Sequence, residues 1–199
     1  IADLQGPKIR LGELPAEGVF LKTHETYLFS TTEKSWRGKK IPVTYAQLHK
    51  DVKVGDRFLI DDGLIELLIV KISGRDIHAK VINGGLVTSH KGMNFPDSRL
   101  TLGALTPKDC EDVIFAVQAG FDWVALSFVK EAKEVHHLRQ LIERSLVHGQ
   151  LAPRIIVKIE KHEAIDAFDE ILEATDAVMI ARGDLGVEIP PQQVPIRQK

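Results

Sequence analysis

The chain has 199 residues, of which 44% are hydrophobic and 27% charged; this composition excludes disordered, collagen-like and low-complexity proteins and leaves room for one or two packed cores. Its 26 basic and 28 acidic residues leave a net charge of -2, so no polybasic field points to nucleic acid or to an anionic membrane surface. No apolar run approaches the roughly 20 residues of a bilayer-spanning helix, and Cys110, the single cysteine, has no partner for an internal disulfide, which favours a reducing, cytoplasmic setting.

The opening Ile-Ala-Asp-Leu-Gln has neither Met nor a signal-like apolar stretch, and the chain reads as a piece of a longer protein. Residues 1–11 are expected to form an early strand and its following turn. Residues 12–95 have the texture of short β-runs. Arg57 to Ile60 leads through Asp61-Asp62-Gly63 into Leu64 to Ile72, Ser73-Gly74 turns into Asp76 to Ile82, and Asn83-Gly84-Gly85 is expected to turn again. Asp-Gly and Asn-Gly supply the positive φ that tight hairpins need, so the segment predicts an antiparallel meander in a small barrel or sandwich. The Lys34 to Lys40 stretch reads as a solvated loop.

From residue 96 onward the period changes. Thr106 caps and Pro107 starts a helix whose apolar stripe is Cys110, Val113, Ile114 and Val117, with Gly120 as its stop. A strand at Trp123 to Ser127 precedes a helix from about Glu131 carrying Val135, Leu138, Ile142 and Leu146. A strand at Arg154 to Ile159, one helix through Ala164, Phe168, Ile171 and Leu172, and a strand at Ala177 to Ala181 complete three βα units. Apolar strands between amphipathic helices predict a parallel sheet or part of a (β/α)8 barrel, with the β-rich segment inserted into it.

In such folds ligands sit at the carboxyl ends of the strands. Strand alternation puts Lys158 and Glu160 on one face, and an ammonium at the end of so apolar a run needs an anionic partner. Glu160 and Asp184 lie one βαβ repeat apart, which predicts two carboxylates at adjacent strand ends, a donor set suited to Mg²⁺ or Mn²⁺. Gly183 and Gly186 would free backbone amides for a substrate anion. A surface Lys158–Glu160 pair beside a connecting turn is the plainer alternative. Lys8, Arg10 and Lys91 flank glycine turns and could meet phosphate or simply solvent. His136 and His137 are adjacent and cannot share a helix face as zinc ligands would. Cys110, on an apolar stripe, is expected to fill core.

In order along essentially the whole chain, Asp3 to Arg10, Ile60-Asp61-Asp62-Gly63, Lys91-Gly92-Met93-Asn94, Ser127-Phe128, Lys158-Ile159-Glu160 and Ala181 to Pro190 resemble pyruvate kinase. The resemblance implies a (β/α)8 barrel with a mobile inserted β-domain, and transfer of a phosphoryl group from phosphoenolpyruvate to ADP to give pyruvate and ATP. It implies Lys158 as the catalytic lysine, Glu160 and Asp184 as ligands of Mg²⁺ or Mn²⁺, and Gly183, Asp184 and Ser127 at the substrate. Arg10 and Lys91 would reach the nucleotide phosphates when the β-domain closes. The full-length protein would be a cytoplasmic homotetramer, and the fragment alone, with unpaired barrel edges, would be inactive.

One departure bears on cofactors. Relatives that bind a monovalent cation pair an Asp equivalent to Asp3 with an adjacent Thr and an acid five residues on, whereas this chain has Leu4 and Lys8 there. The Lys8 ammonium is therefore expected to stand near Asp3 in place of K⁺, making K⁺ unnecessary. Two other readings are a Mg²⁺-dependent lyase or aldolase acting on an enolate, and an oligonucleotide-binding β-barrel. The mixed charge and sparse aromatics of the β-segment weigh against the second.

Overall fold

In the computed structural model, which describes every residue except Gly38, the chain divides into two units. One comprises Ile1–Pro7 with Leu102–Lys199, the other Lys8–Thr101. Strand β1 (Ala2–Asp3) belongs to the first, and the chain then builds the second before returning.

The second unit contains β2 (Val19–Leu21), β3 (Thr26–Ser30), β4 (Lys40–Pro42), the short helix α1 (Leu48–Asp51), β5 (Arg57–Ile60), β6 (Ile65–Ser73), β7 (Asp76–Asn83), β8 (Gly85–Val87) and β9 (Met93–Asn94). Six strands form one sheet in the order β4-β3-β7-β6-β5-β9, and β2 pairs with β8. The expected meander is present as antiparallel β5-β6-β7. Asp61, Asp62 and Gly63 make its first turn at φ of 56°, 54° and 88°, and Gly74 its second at 61°. Asn83-Gly84-Gly85 is not a hairpin turn: β7 runs on into β8, which pairs with β2. The glycine at 84 serves close approach instead, because a Cβ there would stand 2.2 Å from the Leu21 carbonyl oxygen.

Alternate residues of these strands, Phe58 and Ile60 in β5 and Ile65, Leu67 and Ile69 in β6, are buried. Phe58 joins Phe29 edge-on and Phe95 in a stack, with centroids 5.0 and 5.5 Å apart, so aromatic packing fixes the centre of the sheet. In the Lys34 to Lys40 stretch Lys34, Ser35, Arg37 and Lys39 are exposed, as expected of a solvated loop. Ser35 bridges Glu13, and Lys40 opens β4, where its ammonium meets Asp76 at 2.8 Å.

The first unit resumes with α2 (Pro107–Gln118), β10 (Trp123–Leu126), α3 (Ala132–Ser145), β11 (Arg154–Ile159), α4 (His162–Asp166), α5 (Phe168–Ala174), β12 (Ala177–Ile180) and α6 (Arg182–Glu188). A 3₁₀ turn (Pro191–Gln193) and α7 (Val194–Arg197) follow. Strands β1, β10, β11 and β12 form one parallel sheet in that order. Leu4, Val124, Leu126, Ile155, Val157 and Ile159 turn one sheet face into a core shared with Val113, Val117, Val135, Leu138 and Ile142 of the helices. The period-2 alternation of strands therefore sends Ser127, Ile156, Lys158 and Glu160 to the other face.

Helix α2 departs from its expected stripe. Asp109, Val113, Ala116 and Val117 are buried while Ile114 is exposed and Cys110 half-buried. The rotation follows from Asp109, whose carboxylate is drawn inward. Its Oδ2 accepts from the Thr106 backbone N–H at 2.8 Å and hydroxyl at 2.6 Å, completing a capping box, and its Oδ1 accepts from Gly6 N–H at 3.2 Å. The single helix expected from Ala164 to Leu172 is two, α4 and α5, meeting at Ala167, and Leu172 is exposed. The segment after β12, for which a connecting turn is the plainer alternative reading, is helix α6.

Candidate active site

The candidate polar groups of the first unit stand where its parallel strands end. Asp3 closes β1, Ser127 follows β10, Lys158 lies at the end of β11 with Glu160 just past it, and Asp184 comes after β12. The sheet register brings these ends together, pairing Asp3 with Ala125, Leu126 with Val157 and Lys158 with Met179.

The Lys158 ammonium is the hub. Its Nζ lies 3.1 Å from Glu160 Oε1, 3.3 Å from Asp3 Oδ1 and 3.1 Å from Ser127 Oγ. The Ser127 hydroxyl donates to the Leu4 carbonyl at 2.8 Å, so its oxygen is left to accept from Lys158 and aim it. Burial alone would lower the proton affinity of Lys158, but the Glu160 and Asp3 carboxylates outweigh it and hold the ammonium above the ordinary lysine range. This is no loose surface pair: the side chain of Glu160 is 2% exposed and that of Lys158 17%.

Glu160 sits in a more divided field. Burial pushes its carboxyl up, the Phe128 N–H and Lys158 pull it down, and the charge of Asp184 pushes it up again. The Phe128 N–H reaches Glu160 Oε2 at 2.9 Å from a backbone held at φ 57°, a conformation unusual for an aromatic residue and typical of functional sites. Gly6 makes room for it, since a Cβ there would stand 2.7 Å from the Phe128 ring. Sequence reasoning picked out Ser127-Phe128 only as a motif, because a left-handed aromatic leaves no compositional trace.

Asp3 and Glu160 flank the Lys158 ammonium, and the charge of Asp184 acts on Glu160, so three carboxylates against one ammonium leave two formal negative charges for a cation to neutralise. The donors are hard oxygens and one is buried in low dielectric, so Glu160 and Asp184 fit Mg²⁺ or Mn²⁺. Asp184 and Gly183 occupy the first turn of α6, ahead of the first intrahelical bond, which Leu185 donates to Ala181. Their N–H groups therefore have no helical acceptor.

Arg10 and Lys91 belong to the second unit, which brings them onto neighbouring segments: Arg10 bridges Gly92, and Leu11 N–H donates to the Lys91 carbonyl at 2.9 Å. The Arg10 guanidinium donates to the His90 carbonyl at 2.9 Å, and Lys91 pairs with Asp61 at 2.8 Å. Lys8 opens this unit with an exposed side chain. A further ionic cluster lies behind the strand ends, where Lys161 Nζ meets Glu188 Oε1 at 2.6 Å. There His162 Nδ1 stands 3.2 Å from Glu163 Oε2 and 3.6 Å from Glu188 Oε2. It escaped sequence analysis because Lys161 and Glu188 are 27 residues apart.

Among the described residues no helix is long and apolar enough to cross a membrane. The family model for the barrel domain of pyruvate kinase matches residues 1–199. Pyruvate kinase 2 of Synechocystis sp. is 43% identical over 203 residues, covering all of this chain and 34% of the relative. The pyruvate kinase of Mycobacterium tuberculosis is 41% identical over 199 residues, 41% of its own length, and that of Geobacillus stearothermophilus 41% over 201 residues, 34% of its length. The chain thus spans between about a third and two-fifths of these relatives. The four-stranded parallel sheet with its helices is part of a (β/α)8 barrel carrying an inserted all-β domain, and the chain belongs to the pyruvate kinase family.

Proposed function

We propose that this chain is a segment of a full-length cytoplasmic enzyme that transfers a phosphoryl group from phosphoenolpyruvate to ADP. The observation that carries the reading is the Lys158 ammonium, held between Asp3, Ser127 and Glu160 at the carboxyl ends of adjacent parallel strands. Phosphoryl transfer asks a protein mainly for positioning and for neutralisation of charge on nonbridging oxygens. Lys158, kept protonated by its two carboxylates, supplies a fixed positive charge at the strand ends. Glu160 and Asp184 would hold Mg²⁺ or Mn²⁺, which when bound supplies charge neutralisation and Lewis acidity to the substrate oxygens. The Gly183 and Asp184 amides receive the substrate carboxylate, and Ser127 keeps Lys158 directed at the reacting group. Arg10 and Lys91 bind nucleotide phosphates, and Lys8 takes the part that K⁺ plays in cation-dependent relatives.

The test is a coupled assay of ATP formation from phosphoenolpyruvate and ADP by the full-length enzyme. Lys158→Met is expected to lower kcat by about 100-fold or more, the scale seen when one preorganised charge-stabilising donor is removed. Asp184→Ala is expected to raise the Mg²⁺ needed for half-maximal rate as well as to slow the reaction. Near-normal turnover by either variant would overturn its assigned role.

A further inference from the structure

The cluster at Lys161, His162, Glu163 and Glu188 is built on the same two segments as the proposed metal ligands, and it stands one step behind them. Lys161 follows Glu160 directly, in an extended conformation at φ -112° and ψ 145°. Consecutive side chains of extended backbone point to opposite sides, so Glu160 turns toward Lys158 while Lys161 turns away from it. Glu188 closes α6 four residues after Asp184, one helical turn further along the same helix. The contact between Lys161 Nζ and Glu188 Oε1, at 2.6 Å, is therefore a brace between the end of β11 and α6. The Glu188 side chain is buried, at 1% exposed, and that of Lys161 is half-buried, at 14%.

Two carboxylates, Glu163 and Glu188, face the Lys161 ammonium and the His162 imidazole. The Lys161 ammonium, 2.6 Å from Glu188, already supplies a positive charge to this cluster. The pair in front of it is different, because the Glu160 and Asp184 charges repel each other and tend to part in the absence of a cation. An attractive pair on the same two segments resists that separation.

We propose that the Lys161–Glu188 ion pair is a positioning device that fixes α6 against the end of β11 and so sets the separation of the Glu160 and Asp184 carboxylates before the divalent ion arrives. The proposal rests on the reading of Glu160 and Asp184 as metal ligands. Neither Lys161 nor Glu188 touches substrate in this role. Removing the brace weakens the grip on the ion and leaves the chemical step intact once the ion is bound.

The experiment measures Mn²⁺ binding to the full-length enzyme without substrate, from the loss of the free-ion electron paramagnetic resonance signal, and pairs it with steady-state kinetics. Lys161→Met is expected to raise the Mn²⁺ dissociation constant about 10-fold or more, the range typical of groups that orient metal ligands. In the same variant kcat at saturating Mn²⁺ and the KM for phosphoenolpyruvate should change by less than about threefold, and Lys161→Arg should restore tight binding. Glu188→Gln keeps the volume and an acceptor for Lys161 while removing the charge; it should weaken Mn²⁺ in the same direction, and it serves if Lys161→Met folds poorly. Unchanged Mn²⁺ affinity in a folded Lys161→Met or Glu188→Gln protein would overturn the proposal. Controls with Glu160→Gln and Asp184→Asn separate the two ideas. If these abolish Mn²⁺ binding while Lys161→Met leaves it intact, only the brace is wrong; if they also leave it intact, the metal assignment itself fails and the brace falls with it.

Discussion

Lys158 and Asp76 illustrate at the scale of single residues how partners override burial. At Lys158 two carboxylates keep a partly buried ammonium charged. At Asp76 burial pushes the carboxyl up, yet hydrogen bonds from Lys40 and Ser30 and the Lys40 charge hold it below its ordinary value of 3.8. A carboxyl depressed in the folded state stabilises the fold above its unfolded value, and that contribution disappears as pH falls through the folded one. Asp76→Asn is therefore expected to cost about 0.5–1 kcal/mol at neutral pH, the range of a partly exposed ion pair. The difference from the unsubstituted protein should shrink as the pH falls below about 4. Urea unfolding at neutral and acidic pH checks this, and an equal deficit at both would remove the charge from the explanation. Lys158 and Glu160 were legible in the sequence because a period of two places them on one face. Asp3 as the second counter-charge was not, since 155 residues separate it from Lys158.

At the scale of elements, the helix starting at Pro107 shows what local signals can and cannot say. Thr106 and Pro107 mark its start, and the structure adds a capping box through Asp109. The apolar stripe placed Val113 and Val117 in the core but also counted Ile114, which is exposed, and missed Asp109, which is buried and accepts from Gly6 N–H. Thr106→Ala should cost about 1 kcal/mol through loss of the cap. Asp109→Ala should cost more, about 2–3 kcal/mol, because it also strands the Gly6 and Thr106 donors. Thermal unfolding of both variants compares them, and equal losses would show that the Gly6 bond is dispensable. The break between α4 and α5 and the helix at Arg182–Glu188 were illegible for related reasons. A seven-residue helix carrying two glycines has little intrinsic propensity. Among the described contacts, α6 is tied down by burial of Leu185 and by Glu188 meeting Lys161.

At the scale of the whole molecule, the proposed role of Lys8 makes a prediction about ionic requirements. The full-length enzyme should keep most of its activity when K⁺ is replaced by tetramethylammonium, and Lys8→Glu should make the rate rise with added K⁺. Near-complete loss of activity of the unsubstituted enzyme in tetramethylammonium would refute that role. The sequence by itself determined the alternation of strands and helices after residue 101, the β5-β6-β7 meander and the Lys158–Glu160 face, because each follows from a local period or a turn residue read within a few positions. Only the tertiary structure decided the β2–β8 pairing, the inward Asp109, the left-handed Phe128 supported by Gly6, and the Lys161–Glu188 brace. These join residues far apart in the chain, and their energies come from contacts that exist only once distant segments have been brought together by the fold.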